Sequence, residues 1–306
     1  MQKIVCIVGP TASGKTKLGI ELCKKLSGEV VSADSMQIYK GMDIGTAKPS
    51  LEERDGVPHH LFDIVDANEA YSVSRFVEDA DRAIEDIANR GKLPVIVGGT
   101  GLYIDALIRG GGFAEYDEDY RAYLMSKTPE ELFDMLRQVD PLSAERLHLK
   151  DIKRITRALE IFHLSGKTIG EHNEMTQKLP PRYDAKIIGL TCQDRQILYD
   201  RIEKRVDEML EMGLVEETEK LLSSGISETA TSMQAIGYKE IIPAIKGEMS
   251  LDDAVLLLKQ ATRRLAKRQL TWFRRDMRIK WFYLDNRESF EDVLQASCDF
   301  VKNGNV

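Results

Sequence analysis

Along the first third of the chain, short runs of apolar residues alternate with stretches in which apolar positions recur every three or four residues. The runs are Ile4 to Val8, Val30 to Val31 and Pro94 to Val97; the helical stretches cover about 14–26 and 72–89. Short apolar runs between turn residues fit strands buried on both faces, and amphipathic helices between them supply the crossovers of a parallel sheet. The rhythm predicts an α/β fold. After Leu107 the pattern changes. Arg109-Gly110-Gly111-Gly112 breaks the chain, and 113–182 reads as helices without a convincing strand, with Pro180-Pro181 closing the stretch. Within it, Thr128-Pro129-Glu130-Glu131 is a strong helix start: Thr as N-cap, Pro in the first turn, Glu three residues on. Lys186 to Thr191 then reads as a returning strand. A helix over about 194–212, a long helix over about 251–277, a short strand Trp281 to Leu284 and a terminal helix complete the chain.

The expected architecture is a core of 1–112 and 183–306 built on a parallel sheet, with an all-helical domain inserted at 113–182. Gly110 to Gly112 are its expected hinge. With 306 residues, 42% hydrophobic and 30% charged, the composition excludes disordered and collagenous classes. The net charge of -7 speaks, taken alone, against a polyanionic partner. Charge is not evenly spread, however: Lys259 to Lys280 holds nine basic residues and one acid, Asp276. Phosphate contacts depend on charge within a Debye length, about 8 Å in cells, so the mean does not decide the matter. The four cysteines form no Cys-x-x-Cys pair, so neither a zinc site nor a disulfide framework is expected. The N-terminal apolar stretch is too short for a signal peptide or a membrane span. The expected location is the cytoplasm, without membrane attachment.

Gly9-Pro10-Thr11-Ala12-Ser13-Gly14-Lys15-Thr16 matches G-x-x-x-x-G-K-[ST] between a strand and a helix, the context in which backbone N–H groups cradle phosphate. Lys15 supplies a point charge and Thr16 a hydroxyl for Mg2+. The core is thus P-loop nucleoside triphosphate hydrolase-like. P-loop hydrolases carry a metal-holding Asp at the end of another core strand. Here the strand 94–97 runs into Gly98-Gly99-Thr100-Gly101, with no acid. The acid, Asp34, follows the second strand, at the sheet edge where open α/β folds bind ligands. Its possible roles are general base, metal anchor or simply the start of a turn.

Seven segments together resemble the tRNA dimethylallyltransferase (isopentenyltransferase) family. They are the P-loop, Ser32 to Pro49 (S-A-D-S-M-Q-I-Y-K-G-M-D-I-G-T-A-K-P), Val57 to Asp63, Val97 to Tyr103 (V-G-G-T-G-L-Y), Arg157 to Phe162, Ile236 to Glu240 and Arg263 to Phe273 (R-R-L-A-K-R-Q-L-T-W-F). The resemblance implies transfer of a dimethylallyl group from its diphosphate to N6 of the adenosine immediately 3′ of the anticodon, without ATP. It implies that the P-loop holds the diphosphate with Mg2+, that Asp34 is the general base, and that Thr100 lies near the transfer point with Lys15. Arg201 and Arg205, four apart on one helix face, match arginines near the diphosphate. The tRNA anticodon stem-loop would meet Asp34, Ser35, Met36 and Gln37, the last able to pair with a base edge. It would also meet Thr100, Arg121, the run Lys153-Arg154-Ile155-Thr156-Arg157, and Gln234, Gly237, Tyr238 and Lys239. Lys153 departs from the glutamine often found there.

Two rivals remain at this point: a P-loop small-molecule or nucleotide kinase, and an RNA-binding module without catalysis. Other residues have plainer expectations. His59 and His60 lack a partner at metal-ligand spacing and are expected to be structural. His148, His163 and His172 are scattered. Trp272 and Phe273 are expected to pack in the core.

Overall fold

The computed structural model describes residues 1–110, 117–285 and 289–303. The chain divides into two compact units, one of residues 1–108 and 183–306, the other of 109–182. The first half of the larger unit runs β1 (Lys3–Val8), α1 (Lys15–Leu26), β2 (Gly28–Ser32), β3 (His59–His60), α2 (Val73–Asn89), β4 (Leu93–Gly98) and α3 (Gly101–Arg109). The helical unit holds α4 (Glu118–Met125), α5 (Pro129–Val139), α6 (Pro141–Arg146), α7 (Ile152–Ser165) and α8 (Ile169–Gln177). The larger unit resumes with β5 (Asp184–Thr191), α9 (Arg195–Glu211), α10 (Leu214–Ser223), α11 (Tyr238–Ile245), α12 (Leu251–Phe273), β6 (Lys280–Tyr283) and α13 (Phe290–Asn303).

The six strands form one parallel sheet in the order β3-β2-β4-β1-β5-β6. β1 lies inside the sheet, with Val5 beside Val95 on one side and Lys186 on the other, which explains why its apolar residues run unbroken. One face packs Ile4, Cys6, Val31 and Ile96 against Phe76 and Ile84 of α2 and Tyr103 and Leu107 of α3. The other packs Val5, Ile7, Val30 and Ile188 against Leu18 and Leu22 of α1 and Val293 and Leu294 of α13. A third apolar cluster joins α9, α10, α11 and α12 to the segments around Ile38–Met42 and Val65–Ala67. This arrangement brings the chain after β1, β2 and β4 to one edge of the sheet.

The order of elements is the α/β, P-loop-like one expected from the sequence, with some differences. β3 has two residues, too few for an apolar run to announce. α10 and α11 add to the expected helices. α12 ends at Phe273 rather than near 277, and beyond it Asp276 turns back to accept the N–H of Arg278 and its guanidinium.

In the helical unit, Thr128 and Glu131 form the expected capping box, and Thr168 with Glu171 forms a second. Its core is Leu124, Leu132, Leu136, Ile155, Ala158 and Leu159. Two expectations are corrected here. Ile155 is fully buried in that core and Thr156 is buried beside it, so neither side chain can meet RNA; in the first turn of α7 the exposed side chains are Lys153 and Arg154. Arg121 and Arg157 flank the buried carboxylate of Glu160, each at 3.4 Å, and Arg154 pairs with Asp151. Gly110 takes the left-handed φ of +60°. Gly111 and Gly112 of the expected hinge, and Phe113 at the expected domain start, lie outside the described residues.

Candidate active site

β1 delivers the phosphate loop to the sheet edge. Gly9 adopts φ +145° with the Leu190 carbonyl so close that an added Cβ would lie 2.2 Å from its oxygen, and Ala12 and Gly14 turn left-handed at +61° and +82°. Such alternation makes the anion-binding concavity of a P-loop. A cavity of about 500 Å³ opens beside it. Thr11, Ala12, Lys15 and Thr16 line the cavity, while Ser13 is fully buried beneath. Lys15 Nζ donates to Pro10 O at 2.6 Å. Burial, then the nearby Arg205 cation, pull the Lys15 ammonium down from 10.5 to about 7, with the Asp34 carboxylate opposing.

β2 and β4 bring Asp34 and Thr100 to the same cavity. Asp34 Oδ1 accepts the Met36 N–H at 2.9 Å, an Asx turn that fixes the carboxylate. Oδ2 makes no hydrogen bond to the described residues. Thr100 Oγ1 accepts the Ser35 N–H at 3.2 Å and donates to Ser35 Oγ at 3.4 Å, so the ends of the two strands are tied together. Gln37, expected to reach a base edge, has its amide occupied. Its N–H groups hold the Thr46 and Ala47 carbonyls at 3.2 and 3.3 Å, and its oxygen accepts from Ser32 Oγ at 3.0 Å.

Of the two arginines on α9, Arg205 lines the cavity and Arg201 is absent from its lining. Arg205 donates to Ala47 O at 3.4 Å, and burial lowers its pKa against the opposing pull of Asp34. Arg201 lies in the field of Asp285, whose carboxylate accepts the N–H groups of Gln193 and Asp194 ahead of α9.

α12 forms a further wall of the cavity, to which the sequence motifs give no residue a role. Gln269 accepts the Thr11 N–H and donates to Gly99 O, bridging the phosphate loop and the end of β4. Arg268 and Trp272 lie on the same helical face and line the cavity with it. The core expectation holds for Phe273, 3% exposed, and fails for Trp272, which is 40% exposed with Nε1 on Asp105 Oδ2 at 2.9 Å. The segment Arg263 to Phe273 does not by itself say which side chains face the cavity, since successive helical residues point about 100° apart. Ile202, Val206, Met209, Leu258 and Leu265 give the cavity an apolar side. Several cations of the basic strip are already paired: Lys259 with Asp207, Arg263 with Glu203, Arg278 with Asp276.

The remaining candidates separate by burial. Gly237 lines the cavity, but Tyr238 is completely buried with its hydroxyl on Glu217, which corrects its expected contact with RNA. Gln234 is exposed and donates to Glu228 O; Lys239 is exposed beside Glu240. His60 binds the buried carboxylate of Glu29, which Arg90 and Lys92 also hold, and His59 binds Val57 O. For a divalent metal, the described residues contain no cluster of three or more His, Cys, Asp and Glu. The cavity offers the Thr16 hydroxyl and the Asp34 carboxylate, a sparse oxygen set that fits Mg2+ held mainly by phosphate oxygens and water. No helix among the described residues is long and apolar enough to cross a membrane.

Comparison with known proteins gives one answer. The IPP transferase family matches residues 37–276, and an isopentenyl transferase family matches residues 2–63. The tRNA dimethylallyltransferase of Thermoanaerobacter sp. (strain X514) is 47% identical over 98% of this chain and 97% of its own. That of Acetivibrio thermocellus is 48% identical over 96% of each. The crystal structure of the full-length tRNA isopentenylpyrophosphate transferase from Bacillus halodurans superposes with a TM-score of 0.75 at 44% identity, covering 98% of this chain and 96% of that one. A eukaryotic dimethylallyltransferase described as acting on tRNA gives 0.82 at 31% identity, covering 99% and 80%.

Proposed function

The chain belongs to the IPP transferase family, and from that premise we infer that it is a tRNA dimethylallyltransferase. It moves a dimethylallyl group from dimethylallyl diphosphate to N6 of the adenosine 3′ of the anticodon and releases diphosphate. The kinase alternative loses its support, since the relatives that this chain resembles are named dimethylallyltransferases. The observation that carries the reading is one cavity shared by a phosphate loop, a carboxylate whose Oδ2 makes no hydrogen bond among the described residues, and an apolar wall.

The P-loop N–H groups, Lys15 and Arg205 hold the diphosphate, and the apolar side chains of α9 and α12 receive the five-carbon group. N6 attacks the allylic C1; the C1–O bond breaks, and its electron pair leaves on the diphosphate. The cations already face the place where that charge grows. Adenine N6 is a weak nucleophile because its lone pair is delocalised into the ring, so its proton must pass to a base as the new bond forms. Asp34 Oδ2 takes it. Thr16 would help to hold a Mg2+ ion, which would supply further charge neutralisation. Arg121, Lys153, Arg154 and Arg157 in the helical unit, and Gln234 and Lys239 in the larger one, are proposed contacts of the tRNA backbone. The four free cysteines suit the cytoplasm, where tRNA is modified.

Single-turnover transfer by Asp34→Asn tests the assignment. The chemical step is expected to fall by about 100-fold or more, with RNA affinity nearly unchanged; equal losses of binding and chemistry would remove Asp34 from the role of base.

A further inference from the structure

A carboxylate outside the cavity organises the loop that forms one of its walls. Glu217, on α10, accepts the backbone N–H groups of Asp43 and Ile44 on Oε2 at 3.0 and 2.9 Å, and that of Gly45 on Oε1 at 3.1 Å. The Tyr238 hydroxyl donates to the same Oε1 at 2.6 Å. Three successive N–H groups converging on an anion form a nest, the device by which loops bind phosphate; here the protein's own side chain fills it. Gly45 is required by this packing, since an added Cβ would lie 2.5 Å from the Tyr238 ring. On its other side the loop is held by Lys48, whose side chain is 3% exposed and whose Nζ contacts Asp43 and Asp63, each at 2.6 Å.

Immediately after the nest come the two carbonyls that reach the cavity. Thr46 O and Ala47 O accept the Gln37 amide, and Ala47 O accepts the Arg205 guanidinium. Gln37 and Arg205 both line the cavity with Asp34 and Lys15, and Glu217 does not. We propose that Glu217 is a positioning residue for prenyl transfer: by fixing the Asp43–Gly45 backbone it sets the Thr46 and Ala47 carbonyls, and through them the Gln37 amide and the Arg205 guanidinium. Without it, three N–H groups and a phenol lose their acceptor. The loop then repacks towards water and carries the two carbonyls with it. The inference rests on the prenyl-transfer reading of this cavity.

The test compares wild type, Glu217→Gln and Glu217→Asp with saturating dimethylallyl diphosphate and varied anticodon stem-loop RNA, each also in a Gln37→Ala background. Glu217→Gln keeps the size but sets an amide against backbone donors. Its kcat/KM is expected to fall on the order of 10-fold, with Glu217→Asp recovering part of the loss. In the Gln37→Ala background the same substitution is expected to cost less than about 3-fold, because residues acting through one another are not additive. Hydrogen exchange at Asp43 to Gly45 is expected to accelerate in Glu217→Gln. An unchanged kcat/KM, or the full loss in both backgrounds, would overturn the proposal. Should Glu217→Gln fail to fold, Tyr238→Phe, which removes one donor from Oε1, is measured in the same cycle with the same signs expected. Absence of transfer by the wild type would instead defeat the functional reading, which keeps the two failures apart.

Discussion

Gln269 accepts the Thr11 backbone N–H at 2.8 Å across 258 residues of sequence. The same amide donates to Gly99 O, so one side chain from α12 fixes the phosphate loop against the end of β4. The loop is therefore shaped before any diphosphate arrives. Gln269→Ala frees both partners, and the affinity for dimethylallyl diphosphate is expected to fall about 10-fold, a lost pair of partly buried hydrogen bonds. Calorimetric titration measures it; unchanged affinity would mean that the loop holds its shape without α12.

Lys15 makes donor binding depend on pH. Burial holds its ammonium near pKa 7 in the free protein, and diphosphate oxygens beside it raise that value. At pH 8 binding is therefore expected to take up about one proton more in wild type than in Lys15→Arg, and at pH 6, where Lys15 is already charged, almost none. Titration in two buffers of different ionisation enthalpy reads the difference. For stability the sign is opposite to that of a paired lysine: the folded pKa lies below the unfolded value, so the destabilisation from Lys15 is complete below pH 7 and is relieved as pH rises towards 10.5.

Trp272 stands in the cavity wall one turn beyond Arg268, with its ring partly open and its N–H already given to Asp105. The expected contact is a base stacked on the exposed part of the ring. Trp272→Ala is expected to lower kcat/KM for the RNA about 10-fold, within the roughly 1–3 kcal/mol that a base–aromatic stack contributes. Trp272→Phe should retain most of the activity, and donor affinity should not change. A loss confined to donor affinity would place the prenyl group, not the base, against the indole.

The frame of the fold was legible because its signals are local. Thr128 and Glu131 cap their own helix, and Ile4 to Val8 is apolar throughout because β1 is buried on both faces. The chemistry-bearing turns were legible because Gly9 to Thr16 and Ser32 to Gln37 each carry their chemical groups in one short run of sequence. What stayed hidden was the direction of side chains inside longer motifs. Ile155 lies between two cations at Arg154 and Arg157, yet it faces the core of the helical unit. Tyr238 precedes an exposed lysine and is itself fully buried. Gln269 and Glu217 were invisible because their partners, Thr11 and the Asp43–Gly45 backbone, are joined to them only by the tertiary fold. Nor does the count of basic residues over Lys259 to Lys280 show that Asp207 and Glu203 of α9 pair with Lys259 and Arg263.

The central claim is prenyl transfer to an adenosine of tRNA, and nucleoside mass spectrometry tests it most directly. Unmodified tRNA is incubated with the protein, Mg2+ and isotopically labelled dimethylallyl diphosphate, without ATP, and then digested to nucleosides. The expected result is one labelled dimethylallyl group on the adenosine next to the anticodon, formed by wild type and nearly absent with Asp34→Asn. Unlabelled adenosine at that position after incubation with the wild type, together with ATP-dependent phosphorylation of a small substrate, would contradict the account.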